Sequence, residues 1–404
     1  MLALNGGTPL RDTPFPAWPI YGPAEEEALL TVLRSGRWFL DAHTQLFERE
    51  FATFQEAAFG IATSNGTTAL QVALDAIGIR PGDEIIVPAY TFMATASAVC
   101  ATGGIPVFAD IDSASYNIDP QSVEQAITEK TRAVIGVHIA GRPCDLDALG
   151  ALAARHQIHL LEDAAQAHAA AWRGRRVGAI GDLGTFSFQA SKNLCGGEGG
   201  FITTDDETLA DRAWSVHNCG RSRTGAWYEH PLVGSNYRIS EFHAALLLSQ
   251  LTRLEAQTAR RTENAALLTS LLHQIEGIAP LDADARVTTH AHHLYIIRYC
   301  AESSGLTRDR FIAALCAEGI PCSSGYRPLY QEAAFATPFA DYPLTSPYFQ
   351  GQPDYSEVSC PVTERVCAAE AVWLTQNMLL GSADDMRDIA AAIDKVIASA
   401  PELA

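Results

Sequence analysis

Three short stretches of this 404-residue chain carry residue types whose spacing suits work on a phosphate, a ring nitrogen and a carbonyl carbon. Ser64-Asn65-Gly66-Thr67-Thr68-Ala69-Leu70 sets small hydroxyl residues and a glycine just before Leu70, Ala73, Leu74 and Ile77, which recur at helical spacing. A helix starting near Thr67 leaves its first backbone N–H groups free, and such an end attracts phosphate. The same residues can also do no more than cap a helix. Leu160-Leu161-Glu162-Asp163-Ala164-Ala165-Gln166 is an apolar strand that ends in two acids. Strand side chains alternate, so only one of Glu162 and Asp163 can enter a shared pocket. There it could hold a proton on a ring nitrogen; otherwise it is a loop carboxylate. Between Gly184 and Gly200, Lys192 stands between an aromatic strand and a loop containing Gly196, Gly197, Gly199 and Gly200. Partial burial lowers a lysine's pKa and makes it a nucleophile, as Schiff-base chemistry requires. No Gly-Lys-[Ser/Thr] follows the glycines, so this is not a P-loop.

Taken in chain order, a phosphate cradle, an acid for a ring nitrogen and a Schiff-base lysine are the requirements of a pyridoxal phosphate site. The elements around them alternate. Short β-branched runs read as strands over Glu84–Val87, Pro106–Ala109, Ala133–Val137, Ile158–Leu161, Thr185–Phe188 and Phe201–Thr204. Helical patterns fall between several of them, at Thr67–Ile77, Gln121–Ile127 and Leu146–His156. Such alternation predicts a mostly parallel sheet covered on both faces, with ligands beyond the carboxyl ends of its strands. A Pro- and Gly-rich stretch over residues 1–23 reads as an extended arm, followed by a helix over Ala24–Ser35. A long helical pattern runs from near Ser240 toward Leu272, and the remainder reads as a smaller α+β domain. The expected division is an arm over 1–23, a large cofactor-binding domain over 24–255 and a small C-terminal domain over 256–404.

Composition narrows the function classes. Hydrophobic residues make up 48% and charged residues 19%, an ordinary globular balance, and the net charge of -19 argues against nucleic acid and anionic membranes. No apolar stretch reaches the roughly 20 residues needed to span a bilayer, and the N-terminus does not read as a signal peptide. Nine cysteines show no Cys-x-x-Cys pair, and the spacings of Cys316 with Cys322 and of Cys360 with Cys367 suggest no partnership. A reduced, cytoplasmic protein is expected. His138, His168 and His217 show no metal-ligand pairing and read as structural, so no metal is expected.

The motifs at 64–70, Val-Pro-Ala-Tyr-Thr-Phe at 87–92, Glu-Asp-Ala-Ala-Gln-Ala-His at 162–168, Ser-Phe-Gln-Ala-Ser-Lys at 187–192, Gly-Glu-Gly-Gly at 197–200 and Gly-Ser-Asn-Tyr-Arg-Ile-Ser-Glu-Phe at 234–242 carry a resemblance. The chain resembles the DegT/StrS family of sugar and cyclitol aminotransferases over nearly its whole length. That implies an α/β fold of type I for pyridoxal-phosphate-dependent transferases: a large domain with a mostly parallel central sheet flanked by helices, plus a smaller C-terminal α+β domain. It implies that Lys192 forms the Schiff base and shuttles a proton, and that Asp163 pairs with the pyridine nitrogen. Gln166 would lie near the cofactor's phenolic oxygen and Phe92 on its ring face, with Gly66, Thr67 and Ser187 holding the phosphate. Asn236 looks like the asparagine that reaches the phosphate of a neighbouring subunit, which implies a homodimer with a shared site. Trp38, Tyr326 and Arg327 lie in stretches that resemble substrate-facing segments.

The resemblance implies ping-pong transfer of an amino group from glutamine or glutamate to a ketone of a sugar or cyclitol. Two departures stand out. Ala169 replaces a usual glycine, and Cys195 replaces a small or hydroxyl residue and reads as packing. Rival readings are an aminodehydratase like 3-amino-5-hydroxybenzoic acid synthase and a non-catalytic, cofactor-binding regulatory protein. A keto-sugar dehydratase would typically carry histidine at the position of Lys192.

Overall fold

The structure is a computed structural model that describes residues 1–226, 228–336 and 354–402. Its first helix, α1 (Pro23–Ser35), opens with proline at a position where a missing N–H costs nothing. The Gly22 amide donates to the Glu25 carboxylate at 2.8 Å. Helix α2 (Ala42–Phe54) follows, and its Thr44, Phe47 and Phe51 face is buried.

Seven strands make the main sheet: β1 (Phe59–Thr63), β2 (Glu84–Pro88), β3 (Ile105–Ala109), β4 (Thr131–Val137), β5 (His159–Asp163), β8 (Leu183–Ser187) and β9 (Gly200–Thr204). Between β5 and β8 the chain forms the two-residue strands β6 (Ala171–Trp172) and β7 (Arg175–Arg176). The order across the sheet is β1-β9-β8-β5-β4-β2-β3. Pairing is parallel from β8 through β5, β4 and β2 to β3, and β9 runs antiparallel to both its neighbours. The helices α3 (Gly66–Ile77), α4 (Met93–Ala101), α5 (Pro120–Ala126), α6 (Leu146–His156) and α7 (Glu207–His217) connect or follow these strands.

The interior strands are nearly all apolar because both of their faces are covered. One face meets Phe47, Phe51, Phe186, Phe188 and Phe201, whose ring centroids lie as close as 4.9 Å in mostly edge-on contacts. The other face meets α3, α4 and α7 through Leu70, Leu74, Val99 and Ala213.

Helix α8 (Glu241–Leu272) is about 48 Å long at 1.5 Å per residue. Ala244, Leu247 and Leu254 join the sheet's core, whereas Ala265, Leu268 and Leu272 belong to another. That second core surrounds a three-stranded antiparallel sheet of β10 (Ile278–Pro280), β12 (Leu294–Tyr299) and β13 (Ala371–Thr375), with the helices Arg308–Ala317 and Ala383–Ala398. The strand β11 (Val287–Thr289) instead pairs with β6. Residues 1–23 are laid onto this second core. Leu2 is fully buried in it, and Arg11 forms ion pairs with Asp385 and Asp388.

The structure adds to the sequence reading in two places. Helix α4 is buried on most sides and rich in Ala, Thr and Ser, so it has no apolar stripe to reveal it. The spacing of Cys316 and Cys322 suggests no partnership, yet the turn after the Arg308–Ala317 helix brings their Sγ atoms to 3.7 Å as free thiols.

Candidate active site

The loops that follow β1, β2, β5 and β8 at their carboxyl ends converge on a cavity of about 930 Å³. Its floor includes the start of α3. The Asn65 side chain accepts from the Thr68 amide at 2.9 Å, and Thr68 Oγ1 accepts from the Asn65 amide at 3.1 Å. Ala69 N–H reaches Asn65 O. The Gly66 and Thr67 amides are left without an acceptor among the described residues, at the positive end of the helix dipole. A Cβ on Gly66 would come within 2.7 Å of Ser187 Cβ, so the end of β8 can approach this helix only past a glycine. Gly66, Thr67 and Ser187 all line the cavity.

Alternation along β5 separates its two acids. Glu162 is fully buried on the far side from the cavity and accepts the amides of Gly178, Ile180 and Gly181 at 2.7–2.8 Å. It also meets His138 Nε2 at 3.1 Å. The Cys144 amide points at His138 Nδ1, and His138 Nε2–H donates to Glu162. Burial pushes the Glu162 carboxyl up, but these donors hold it below its usual range.

Asp163 lines the cavity and, among the described residues, has two donors, Thr95 Oγ1 at 2.9 Å and the Ala165 amide at 3.2 Å. Here burial prevails and raises its pKa. Lys192 follows β8 and its ammonium makes no hydrogen bond or ion pair among the described residues. Burial lowers its pKa from 10.5 to about 8, although the Asp163 charge acts in the opposite sense.

Gln166 is held at both ends of its amide. Its Oε1 accepts from the Ala140 amide at 2.7 Å, and its Nε2 donates to the Tyr326 hydroxyl at 3.0 Å. Tyr326 stands edge-on to Trp373 at 4.6 Å and to Tyr90 at 5.6 Å, and Trp373 Nε1 donates to the Tyr90 hydroxyl. This aromatic group ties the second core to the sheet at the cavity mouth. Phe92 caps the start of α4, lines the cavity and is 60% exposed, leaving its ring face available to a planar ligand.

The structure therefore brings together Gly66, Thr67, Phe92, Asp163, Gln166, Ser187, Lys192 and Tyr326. Trp38, Asn236 and Arg327 do not line the cavity of their own chain. Trp38 packs against Phe242, and Asn236 forms an isolated bridge with Asn218.

The sequence reading did not single out Trp18, Thr95, His293 or Gln376 as site residues, yet Trp18, Thr95, His293 and Gln376 line the cavity. Only Thr95 carried a local signal, as a hydroxyl one turn into the helix after the motif at 87–92. The others arrive from the arm and the second core, far away in sequence. At Ala169 the chain keeps the backbone expected of glycine: φ is 68°, in the left-handed region, and its amide donates to Gln55. His138, His168 and His217 are all buried, and no group of metal-ligating side chains occurs among the described residues.

Pyridoxal phosphate fits this arrangement. Two unused amides at a helix start suit its phosphate, a buried acid with no ion pair among the described residues suits its ring nitrogen, and a desolvated amine suits its aldehyde. The comparisons with known proteins agree. The model of the DegT/DnrJ/EryC1/StrS aminotransferase family matches residues 19–394. The L-glutamine:2-deoxy-scyllo-inosose aminotransferase of Micromonospora echinospora is 39% identical, covering 100% of this chain and 99% of that protein. The 3-amino-5-hydroxybenzoate synthase of Amycolatopsis mediterranei (strain S699) is 38% identical, covering 96% and 98%. The crystal structure of a 3-amino-5-hydroxybenzoic acid synthase superposes with a TM-score of 0.87 at 36% identity, covering 95% of this chain and 99% of that one. With this fold, of type I among pyridoxal-phosphate-dependent enzymes, and a match of such extent, the chain belongs to the DegT/DnrJ/EryC1/StrS aminotransferase family.

Proposed function

We propose that this enzyme transfers the amino group of L-glutamine to the ketone of a cyclitol, with pyridoxal phosphate as its cofactor. The observation that carries the reading is the convergence of the Gly66 and Thr67 amides, Asp163 and Lys192 on one cavity in a chain 39% identical to a glutamine-dependent cyclitol ketone aminotransferase. The bound cofactor supplies an electron sink that stabilises negative charge beside the reacting carbon.

The chain's own residues do the rest. Gly66 and Thr67 would donate their amides, and Ser187 its hydroxyl, to the phosphate. Asp163, oriented by Thr95 and Ala165, would accept a hydrogen bond from the protonated ring nitrogen and so keep that proton in place. Phe92 would cover one ring face. Gln166, fixed by Ala140 and Tyr326, would stand beside the ring's oxygen. Lys192 is the residue that would hold the cofactor at its aldehyde carbon, and its amine, once free, would carry the donor's α-proton. The keto acid leaves before the ketone enters, so one lysine serves both halves of the reaction.

The assembly on this reading is a cytoplasmic homodimer with a shared site. Trp38 and Phe39 are both more than half exposed, and an isolated bridge between Phe39 and Ser240 sets them beside the segment that carries Asn236. Tyr21, Leu30 and Leu33 add further exposed apolar surface. No helix among the described residues is long and apolar enough to cross a membrane.

The test uses the protein reconstituted with pyridoxal phosphate. L-glutamine should bleach its visible band, and a cyclitol ketone should restore the band while an aminated cyclitol forms. A band unchanged by glutamine and by glutamate would remove the donor assignment. An aromatic product would turn the reading toward an aminodehydratase. Mixing inactive Lys192→Ala and Asn236→Ala proteins should restore activity in mixed dimers if the site is shared, and no recovery would refute sharing.

A further inference from the structure

Arg261, in the middle of α8, is completely buried and forms no ion pair among the described residues. Uncompensated buried cations are rare, because taking a charge out of water without a partner is strongly unfavourable. Two of its nitrogens, Nε at 3.0 Å and Nη2, donate to the same oxygen, Gln376 Oε1, and its Nη1 has no partner. The guanidinium also lies 5.3 Å from the Trp18 ring centroid, and Trp18 Nε1 donates to the carbonyl of Ala190, two residues before Lys192.

A guanidinium can only donate, so the orientation of the Gln376 amide is fixed without ambiguity. Its oxygen faces inward to Arg261. Its Nε2 makes no hydrogen bond among the described residues, and Gln376 lines the same cavity as Lys192, Trp18 and His293. Burial beside this charge has visible effects. It lowers the Arg261 pKa to about 9, and burial, then the charges of Lys192, His168 and Arg261, hold His293 far below its usual range. Asp163 is already engaged by Thr95 and Ala165, so it does not answer Arg261.

A wall that offers amide N–H groups, backed by a positive charge in a medium of low dielectric, favours an anion over a neutral hydroxyl. Of the two substrates in the proposed reaction, only the amino donor carries one. We propose that Gln376 is a specificity residue for the amino donor, its Nε2 donating to the donor's α-carboxylate, and that Arg261 is the positioning residue that orients the Gln376 amide and supplies the charge behind it. This rests on the reading of the donor as an α-amino acid.

The experiment follows each half-reaction separately by absorbance in the reconstituted, full-length enzyme. L-glutamine is compared with L-glutaminamide, in which the α-carboxylate is a carboxamide. In Gln376→Leu the KM for L-glutamine should rise about 10- to 100-fold, as for loss of a hydrogen bond to a charged group. The preference for L-glutamine over L-glutaminamide should shrink by a similar factor, while the KM for the ketone in the second half-reaction stays within about twofold. Gln376→Glu keeps a partner for Arg261 but has no N–H to offer, so it should lose glutamine in the same way even if the leucine variant folds poorly. Arg261→Lys keeps the charge, removes the double donation and should weaken the same preference with Gln376 intact. Melting temperatures of all three identify any that merely unfold.

A retained preference for L-glutamine in folded Gln376 variants would overturn the proposal, as would an equal loss in the ketone half-reaction. A wild-type enzyme that takes amino groups only from a donor without an α-carboxylate would overturn the donor reading, and this inference with it.

Discussion

The Lys192 amine is the group whose perturbation is most directly measurable. Its pKa falls from 10.5 to about 8 through burial. At about pH 7 an amine with pKa near 8 is roughly 9% neutral, whereas one with pKa near 10.5 is only about 0.03% neutral, a gain of about 300-fold in the nucleophilic form. The sign for stability runs the opposite way. A lysine whose folded pKa is depressed binds fewer protons folded than unfolded between about pH 8 and 10.5, so the cofactor-free protein gains stability as pH rises through that window. The penalty below it is of order 3 kcal/mol from the 2.5-unit difference. Mixing cofactor-free protein with pyridoxal phosphate across about pH 6 to 10 should give an attachment rate with its half-maximum near pH 8. Lys192→Met should abolish attachment and raise the melting temperature of the cofactor-free protein at neutral pH. A half-maximum above about pH 10, or a Lys192→Met protein that melts lower, would refute the claim that desolvation activates this amine.

Asp163 is raised by burial, so its charge destabilises the cofactor-free fold at neutral pH, and that penalty shrinks as pH falls through the folded pKa toward the unfolded value. Asp163→Asn should therefore melt higher without cofactor yet lose about 100-fold or more in amino transfer, and a lower melting temperature would contradict the sign. Glu241 is fully buried and accepts from the Asp41, His43 and Thr44 amides at 2.8–3.0 Å and from the Thr44 hydroxyl. Burial pushes its pKa up, but these donors prevail and lower it. Glu241→Gln should cost about 3 kcal/mol near neutral pH, and the gap to wild type should close as pH falls through the folded pKa, measured by chemical denaturation. Excess oxidised glutathione should join Cys316 and Cys322, each bond releasing two molecules of glutathione thiol, with reversal by dithiothreitol. Cys316→Ser should prevent the bond, and peptide mapping that finds both thiols intact in wild type would count against this geometry.

The legible part of the site was local in sequence. Lys192, Asp163 and Gly66 sit where a strand hands over to a loop or helix, and one strand's alternation was enough to say that Glu162 and Asp163 must part. The strand-and-helix alternation likewise revealed the parallel sheet, because buried parallel strands are short apolar runs that stand out between amphipathic helices. What escaped depended on partners remote in the chain. Gln376 matters because Arg261 lies beneath it, 115 residues away. Cys316 and Cys322 meet through a turn whose path no spacing rule describes. Helix α4 escaped for another reason: buried nearly all round, it has no polar face to mark its period.

The packing of residues 1–23 has a practical consequence for anyone handling the protein. Trp18 forms part of the cavity wall, Leu2 is locked into the second core, and Lys395 reaches back to the carbonyl of Thr8. The leading segment is thus a working component and not a dispensable tail. Trimming it to ease crystallisation would open the binding cleft from one side. A purification tag fused ahead of Met1, itself 74% exposed, leaves the chain free to dock, provided its linker does not pull on Leu2.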